Sequence, residues 1–188
     1  MGNLTRFNDT AVQFPFEPVH EQIRKQAKTH PDKTAVICSG GTVSYRELDE
    51  ASDRIARALI RKNAGRNDLI AVLFDREATA YIAEIAVLKS GAGFLPFVPE
   101  YPDDRIDYCM RDSGSRLMLT TEKLRNERNL QGKAYEVVTA EELLEQGAPS
   151  GQDTAFPRVS EEDLAYCISS RTGDPVLSGC GPGTQATV

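Results

Sequence analysis

The stretch Leu69-Ile70-Ala71-Val72-Leu73-Phe74 is apolar at every position. Strands of parallel sheets have this composition, because helices cover both of their faces. A strand with one face in water would alternate apolar and polar residues instead. This stretch therefore predicts the centre of a parallel sheet, and the neighbouring segments should supply the helices that cover it.

The segment after this strand has the pattern of a helix. Asp75 can cap its N-terminus, and Gly91 is a natural C-terminal stop. We expect its buried side to be formed by residues at helical spacing, namely Tyr81, Ile82, Ile85, Ala86 and Leu88. A short strand at Phe94-Leu95 follows, and Pro96 and Pro99 bracket an extended loop.

Strand and helix patterns go on alternating after this loop. The predicted elements are a helix over 103–112 with Ile106, Cys109 and Met110 inward, a strand over 117–120, a small helix, a strand over 135–138, a helix over 140–146 and a strand over 163–168. The polar stretch 147–160 is a loop or linker. Such alternation predicts an α/β fold whose mostly parallel sheet is flanked by helices.

The residues before the central strand predict a helix, a hairpin and a second helix. The first helix covers 17–29 and ends before Pro31. Two β-prone runs flank the Gly40-Gly41 turn of the hairpin. Ser44 and Glu47 then form a capping box at the start of the second helix.

Composition excludes several classes of protein. The 188 residues are 40% apolar and 27% charged, as in soluble globular proteins, and the formal charge is -6. The chain lacks the excess of basic residues that is typical of a nucleic-acid-binding protein, so we expect no nucleic-acid partner. No apolar run reaches the roughly 18 residues of a membrane span and no secretory signal is evident, so we expect a cytoplasmic protein without a membrane partner.

Cysteine and histidine spacing gives no metal or disulfide pattern. Cys38, Cys109, Cys167 and Cys180 are scattered and form no C-x-x-C pair, which fits reduced thiols. The two histidines lie ten residues apart and predict no metal site. Hydroxyls and glycines at Ser169-Ser170-Arg171-Thr172-Gly173 follow the last strand and could cradle a phosphate, although composition alone favours a plain surface turn.

Several segments together resemble a known family. Residues 43–48 (Val-Ser-Tyr-Arg-Glu-Leu) resemble the first core motif of the adenylation domains of nonribosomal peptide synthetases. Residues 88–96 (Leu-Lys-Ser-Gly-Ala-Gly-Phe-Leu-Pro) resemble the second, and 100–106 continue it. Further matches are Phe7-Asn8-Asp9-Thr10, His20-Glu21, 31–35 and Asp112-Ser113-Gly114. The resemblance runs from about Leu4 to Thr121, and then weakly to Ile168.

The resemblance implies the acyl-adenylate-forming fold and an AMP-forming ligase as the parent activity. Such enzymes join a carboxylate, here an amino acid, to ATP with Mg²⁺, giving an acyl-adenylate and pyrophosphate. They then pass the acyl group to the phosphopantetheine thiol of a carrier domain. The implied partners are therefore an amino acid, ATP and a phosphopantetheinylated carrier domain.

This chain departs from the family in the third motif, a loop that binds the ATP phosphates. The family has Tyr-Thr-Ser-Gly-Ser-Thr-Gly-x-Pro-Lys-Gly after a strand like Leu164–Ile168, and this chain is two residues shorter there. Ser169, Ser170, Thr172 and Gly173 are what remains to contact the phosphates. The replaced positions are Ser170 for a glycine, Arg171 for a serine, Val176 for the lysine and Leu177 for the last glycine. Val98 also stands where the family usually has aspartate.

These departures predict two regions: residues 1–168 as the N-terminal fragment of an AMP-binding adenylation domain, and 169–188 as a degenerate phosphate loop with a disordered Gly- and Pro-rich tail. We expect a truncated or frameshifted gene product that binds neither ATP nor Mg²⁺ productively and is inactive alone. The alternatives are a ligase completed by a second chain, a non-catalytic module that docks on a synthetase, and a fragment of an acyl-CoA ligase.

Overall fold

The computed structural model describes residues 15–147, 155–169, 175–179 and 185–187, and its helices and strands alternate as expected. The helices are α1 (Val19–Thr29), α2 (Tyr45–Arg61), α3 (Ala78–Lys89), α4 (Asp103–Asp112), α5 (Glu122–Glu127) and α6 (Ala140–Gln146). The strands are β1 (Thr34–Cys38), β2 (Gly41–Ser44), β3 (Leu69–Leu73), β4 (Gly93–Phe97), β5 (Leu117–Thr120), β6 (Glu136–Thr139), β7 (Leu164–Ser169), β8 (Pro175–Gly179) and β9 (Gln185–Thr187).

The main sheet has the strand order β6-β5-β3-β4-β7-β8-β9. Its first five strands are parallel, while β8 and β9 add antiparallel strands at one side. The strand β3 pairs with both β4 and β5, which confirms the central parallel strand and the α/β fold. β1 and β2 form a separate antiparallel hairpin.

Side chains of β3 alternate between two apolar layers, so both faces of the sheet are covered. Ile70 and Val72 pack in a cluster with residues of α2, α3 and α6, whereas Ala71 and Leu73 pack in a cluster with α4. Both layers contain side chains that are almost fully buried. On the first face these include Ile55, Leu59, Val87 and Leu143, and on the second Ile106, Met110 and Met118. The helix layers thus fix β3 from both sides.

The capping box and the inward face of α4 are confirmed. Ser44 accepts a hydrogen bond from the Glu47 backbone N–H at 3.2 Å, and the Glu47 carboxylate accepts one from the Ser44 N–H at 2.8 Å. Ile106, Cys109 and Met110 are buried as expected. Each of these features depends on residues close in sequence, and local spacing was sufficient to predict it.

The predicted buried face of α3 is only partly right. Ala86 and Leu88 are buried as predicted, but Tyr81 is 51% exposed, and the other buried residues are Ala83, Val87 and Lys89. Because α3 is apolar around its whole circumference, helical spacing cannot indicate which side faces the sheet. The predicted cap is also wrong: Glu77 is the N-cap without a side-chain hydrogen bond, and the Asp75 carboxylate accepts from Lys123 at 3.0 Å.

The loop predicted to begin at Pro96 starts later, because Pro96 lies inside β4 opposite Val72 of β3. A proline cannot donate to a neighbouring strand, and it is usually confined to strand edges for that reason. Here β7 is in register with β4 only at Phe94 and Tyr166 among the described residues, so regular pairing on that side stops before Pro96.

The segment 169–188 contains two short strands where we expected disorder. The backbone of β8 pairs antiparallel with β7, and β9 pairs with β8. Pairing to an existing strand edge gives these backbone groups hydrogen-bond partners that the Gly- and Pro-rich composition does not reveal. Residues 170–174, 180–184 and 188 lie outside the described part of the chain.

A fully buried ammonium group joins α3 to α2. Lys89 is 1% exposed, and its Nζ donates to the Asp49 carboxylate at 2.6 Å, the Asp49 carbonyl at 3.0 Å and the Asp53 carboxylate at 2.6 Å. These three acceptors match the three N–H bonds of a lysine. Asp49 and Asp53 lie four residues apart on one face of α2, so a single side chain reaches both.

The helix α1 is attached to the same charge cluster. Arg24 donates to Asp53 at 3.3 Å, and His20 is 5% exposed. Burial lowers the pKa of His20 from 6.5 to about 4, and although Glu21 opposes this, the nearby Arg24 and Lys89 add to it. His20 is therefore neutral at pH 7, and protonating it would place another cation beside Lys89.

We predict that Lys89→Met lowers the free energy of unfolding by about 3 kcal/mol, because it leaves the half-buried Asp49 carboxylate without its cation. Urea denaturation of the full chain measures this. The exposed Lys28 provides the control, and Lys28→Met should change the stability by less than about 0.5 kcal/mol. Equal effects of the two substitutions would contradict the role of the buried ammonium.

We predict that the free energy of unfolding falls by up to about 3 kcal/mol as the pH drops from 6.5 to about 4, owing to His20. Between these pH values the unfolded chain binds a proton that the folded chain does not. His20→Asn should flatten this part of the stability curve, whereas the same change at the exposed His30 should not. Parallel curves for wild type and His20→Asn would contradict the prediction.

Candidate functional site

The connections that leave β3 and β4 run to opposite faces of the sheet. After β3 the chain enters α3, which packs on the face covered by α2 and α6, and after β4 it enters α4 on the other face. Adjacent parallel strands whose connections diverge in this way leave a crevice at their carboxyl ends. Ligands of open α/β sheets bind in such crevices, so the ends of β3 and β4 mark the candidate site.

A cavity of about 170 Å³ occupies this position. We call it the β3–β4 crevice, and it is lined by Val72, Phe74, Asp75, Arg76, Ala80, Tyr81, Glu84, Pro96, Phe97 and Val98. Its wall combines apolar and aromatic side chains with a few charged groups, which is typical of small-molecule sites. Its volume is below the roughly 300–1,000 Å³ of sites for drug-sized ligands.

The charged residues of the crevice differ in their partners. The Asp75 carboxylate forms an ion pair with Lys123 at 3.0 Å, and this contact raises the pKa of Lys123. Burial raises the pKa of the Glu84 carboxyl, and no described residue forms a hydrogen bond or ion pair with its side chain. Glu84 is thus the carboxylate of this wall that has no ion-pair partner among the described residues.

The residues predicted to contact ATP phosphates begin at the same edge of the sheet. β7 is parallel to β4, so the carboxyl end of β7 lies on the side where the crevice opens. Ser169 ends β7, and its register partner is Pro175 of β8. Ser170, Thr172 and Gly173 lie outside the described residues, and the phosphate loop stays a prediction.

The start of β7 is held by a buried carboxylate. Asp163 is 2% exposed and accepts hydrogen bonds from Arg66 Nη2 and from the Ser160 backbone N–H, both at 2.6 Å. Burial opposes the charge, but the hydrogen bonds from Arg66 and Ser160 outweigh it and hold the pKa of Asp163 below its usual range. These contacts fix the residues from which β7 starts.

Two glycines allow β7 and the segment before it to approach β4. Gly91 has φ +86°, and a Cβ there would lie 2.7 Å from Pro157 Cγ. At Gly93 a Cβ would lie 3.1 Å from Leu164 Cβ, the first side chain of β7. The motif Ser90-Gly91-Ala92-Gly93 therefore provides space for the chain that leads to the predicted phosphate loop.

Magnesium has no fitting set of ligands in the part of the chain that the structure describes. Within these residues, no group of three or more His, Cys, Asp or Glu side chains could hold a metal ion. Mg²⁺ needs several oxygen ligands in octahedral geometry, so we derive no step through it. The same residues include no helix long and apolar enough to cross a bilayer.

Sequence reasoning missed the residues that position this edge. Lys89 at a helix end has the pattern of an exposed C-terminal cation, and Asp163 stands in the run Glu161-Glu162-Asp163, which looks solvated. A usable signal for Lys89 was its position between apolar Leu88 and a Gly-rich turn, where burial is expected. Glu84 gave a similar signal, as a single carboxylate within an otherwise apolar helix.

Comparisons with known proteins agree with the fold. The family model of the AMP-binding enzymes matches residues 23–175. Tyrocidine synthase 3 of Brevibacillus parabrevis and bacitracin synthase 1 of Bacillus licheniformis are each 36% identical over 176 residues. These matches cover 92% of this chain but 3% of either relative, so the chain spans a small part of each synthase.

Solved structures show the same likeness. The nonribosomal peptide synthetase FmoA3 in its AMPPNP-bound form matches with a TM-score of 0.83 and 27% identity, over 93% of this chain and 18% of that one. Its form bound to α-methyl-L-serine-AMP matches with a TM-score of 0.81, also at 27% identity, over 92% of this chain and 19% of that one.

We predict that Gly91→Ala destabilises the chain by about 1–3 kcal/mol, because it combines a positive φ with a contact against Pro157. Urea denaturation gives the magnitude, and hydrogen exchange should show β7 amides less protected while β3 amides change little. Gly40 has no neighbour within 4 Å of an added Cβ, so Gly40→Ala is the control. Equal effects at Gly91 and Gly40 would disprove the packing role.

Proposed function

The chain belongs to the family of AMP-binding enzymes, and on that basis we propose that it forms the N-terminal part of an amino-acid adenylation domain of a nonribosomal peptide synthetase. In the whole domain, an amino acid and ATP would give an aminoacyl-adenylate and pyrophosphate. The aminoacyl group would then pass to the phosphopantetheine thiol of a carrier domain. We place this chain in the cytoplasm, with no membrane or nucleic-acid partner.

The observation that carries the proposal is the family match over 23–175, which extends through the whole parallel part of the sheet. The sheet brings the end of β7 to the edge where β3 and β4 also end. A loop that follows β7 would therefore face any ligand held along this edge. The contribution of the described residues is to position that loop through Asp163, Gly91 and Gly93.

We also propose that this chain alone does not activate amino acids. The described crevice has a volume of about 170 Å³, below the roughly 300–1,000 Å³ of sites for drug-sized ligands. The sequence after β7 also lacks the lysine and two glycines of the family's phosphate loop, since Val176, Leu177 and Ser170 stand there. Without that cation and the close backbone approach, the charge of the polyphosphate is poorly neutralised.

The alternative parents have less support. Tyrocidine synthase 3 and bacitracin synthase 1 are peptide synthetases, which favours such a parent over an acyl-CoA ligase. A docking module calls for one large exposed apolar patch. The exposed large apolar side chains of the described residues are spread over several elements, for example Ile37 on β1, Tyr108 on α4 and Ile168 on β7.

We predict that the chain by itself gives no exchange of radiolabelled pyrophosphate into ATP above the protein-free blank, with any proteinogenic amino acid and Mg²⁺ present. The reason is the missing phosphate-loop chemistry. An exchange signal that depends on one amino acid would overturn the inactivity. A folded sample, shown by a cooperative urea transition, is the necessary control.

A pair of chimeras tests the parent activity. Residues 23–168 should replace the matching segment of FmoA3 and retain α-methyl-L-serine-dependent exchange within about tenfold, because the sheet is equivalent. Extending the graft to residue 178 brings in Ser170, Arg171 and Val176, and should reduce exchange at least about 100-fold. Loss of activity in a shorter chimera that still binds AMPPNP would contradict the proposed role of the sheet.

A further inference from the structure

The loop that joins β4 to α4 is held by an arginine from α5. We call residues 98–102 the β4–α4 loop. Arg128, the C-cap of α5, donates to the Tyr101 carbonyl at 2.8 Å, and also to the Pro99 carbonyl and the Asp103 carboxylate. The Arg128 side chain is 15% exposed. Its guanidinium group therefore lies mostly out of water and connects α5 to the backbone of the loop.

The guanidinium group is suited to hold several acceptors at once. It is planar and has five N–H donors in a fixed geometry, whereas a lysine has a single ammonium group on a flexible stem. A hydrogen bond from a charged donor is also stronger than one between neutral groups. Arg128 thus restrains three successive odd-numbered residues of the chain, from Pro99 to Asp103, by one side chain.

The helix α5 also contacts the segment that follows β3. Lys123 donates to the Asp75 carboxylate at 3.0 Å, and Asp75 lies between β3 and α3. α5 is itself attached to α6, because Arg125 donates to the Glu142 carboxylate at 2.6 Å. One short helix therefore connects two neighbouring loops at the carboxyl edge of the sheet.

The β4–α4 loop lies beside the segment that carries the predicted phosphate loop. In the sheet, β4 stands between β3 and β7, and the three strands are parallel. The chain after β4 therefore leaves the same edge as the chain after β7, on the adjacent strand. Val98, the first residue of the β4–α4 loop, lines the β3–β4 crevice. A ligand bound along the end of β7 would have this loop as its neighbour.

We propose that Arg128 is a positioning residue for amino-acid activation in the whole adenylation domain. It acts through the β4–α4 loop, which it holds next to the phosphate loop, and it makes no contact with the substrates itself. This inference rests on the proposed adenylation function. Displacing a group at a reaction centre by about 1 Å can lower the rate about 100-fold, so the position of the loop affects the chemical step.

Amide hydrogen exchange in the full chain tests whether Arg128 holds the loop. The Tyr101 N–H donates to the Val98 carbonyl at 3.0 Å within the loop. Arg128→Ala should speed exchange of this amide at least about tenfold, because the loop opens more often, while β3 amides change less than about twofold. If Arg128→Ala gives no cooperative urea transition, Arg128→Lys replaces it, with a smaller change in the same direction.

The chimera that carries residues 23–168 in FmoA3 tests the effect on the reaction. Arg128→Ala should lower kcat for α-methyl-L-serine-dependent exchange about 10- to 100-fold and change KM for ATP less than about threefold. Rates are expressed per AMPPNP-binding site. Arg128→Lys should restore part of kcat, because it keeps the charge but not the planar group. A merely structural role would reduce the number of binding sites and leave kcat per site unchanged.

Arg116 provides the matched control, since it is exposed and precedes β5 at the opposite edge of the sheet. Arg116→Ala should change neither the Tyr101 exchange nor kcat. Unchanged Tyr101 exchange in Arg128→Ala would overturn the proposal, and so would an unchanged kcat per binding site. An inactive chimera without any substitution would instead contradict the proposed adenylation function, and the exchange measurement on the full chain would still decide whether Arg128 holds the loop.

Discussion

The burial of one ammonium group organises the helix layer on which the sheet rests. Lys89 would be expensive to remove from water without partners, at several kcal/mol for an isolated ion. Here the carboxylates of Asp49 and Asp53 and one carbonyl satisfy its three N–H bonds. Because the acceptors lie on α2 and the donor on α3, this cluster connects the two helices, and any other packing of them would leave the ammonium group without its acceptors.

The same cluster extends to the segment that precedes β7. Arg24 and Arg57, which flank Asp53, lie over the ring of Phe156 at 4.9 and 5.3 Å from its centroid. Two residues after Lys89, Gly91 leaves space for the side chain of Pro157, which follows Phe156 in the chain. Residues 89–93 therefore contribute both the buried ammonium group and the space for the segment that precedes β7. Both features help to fix the position of β7.

Sequence was sufficient where a feature depends on neighbouring residues, and insufficient where it depends on distant ones. The central strand, the capping box and the inward face of α4 follow from local spacing. The buried face of α3 does not, since all its sides are apolar, and the strand position of Pro96 depends on which β4 residues β7 pairs with. The partners of Lys89 lie 36 and 40 residues away, so spacing alone could not identify them. The sequence predicted phosphate-contacting residues after the last strand, which stay a prediction, and it did not indicate that Glu84 lies in the wall of the crevice.

Lys89 and Glu84 show how α3 handles two charges in different ways. Both lie on one largely apolar helix, five residues apart. The ammonium is enclosed by acceptors and stabilises the fold, so substituting it acts on the whole molecule. The Glu84 carboxylate lies half-buried in the crevice wall without an ion-pair partner among the described residues, and burial raises its pKa. The Glu84 oxygens are not among the buried side-chain atoms that lack a hydrogen-bond partner, so water can solvate this carboxylate, whereas the enclosed Lys89 depends on its protein acceptors.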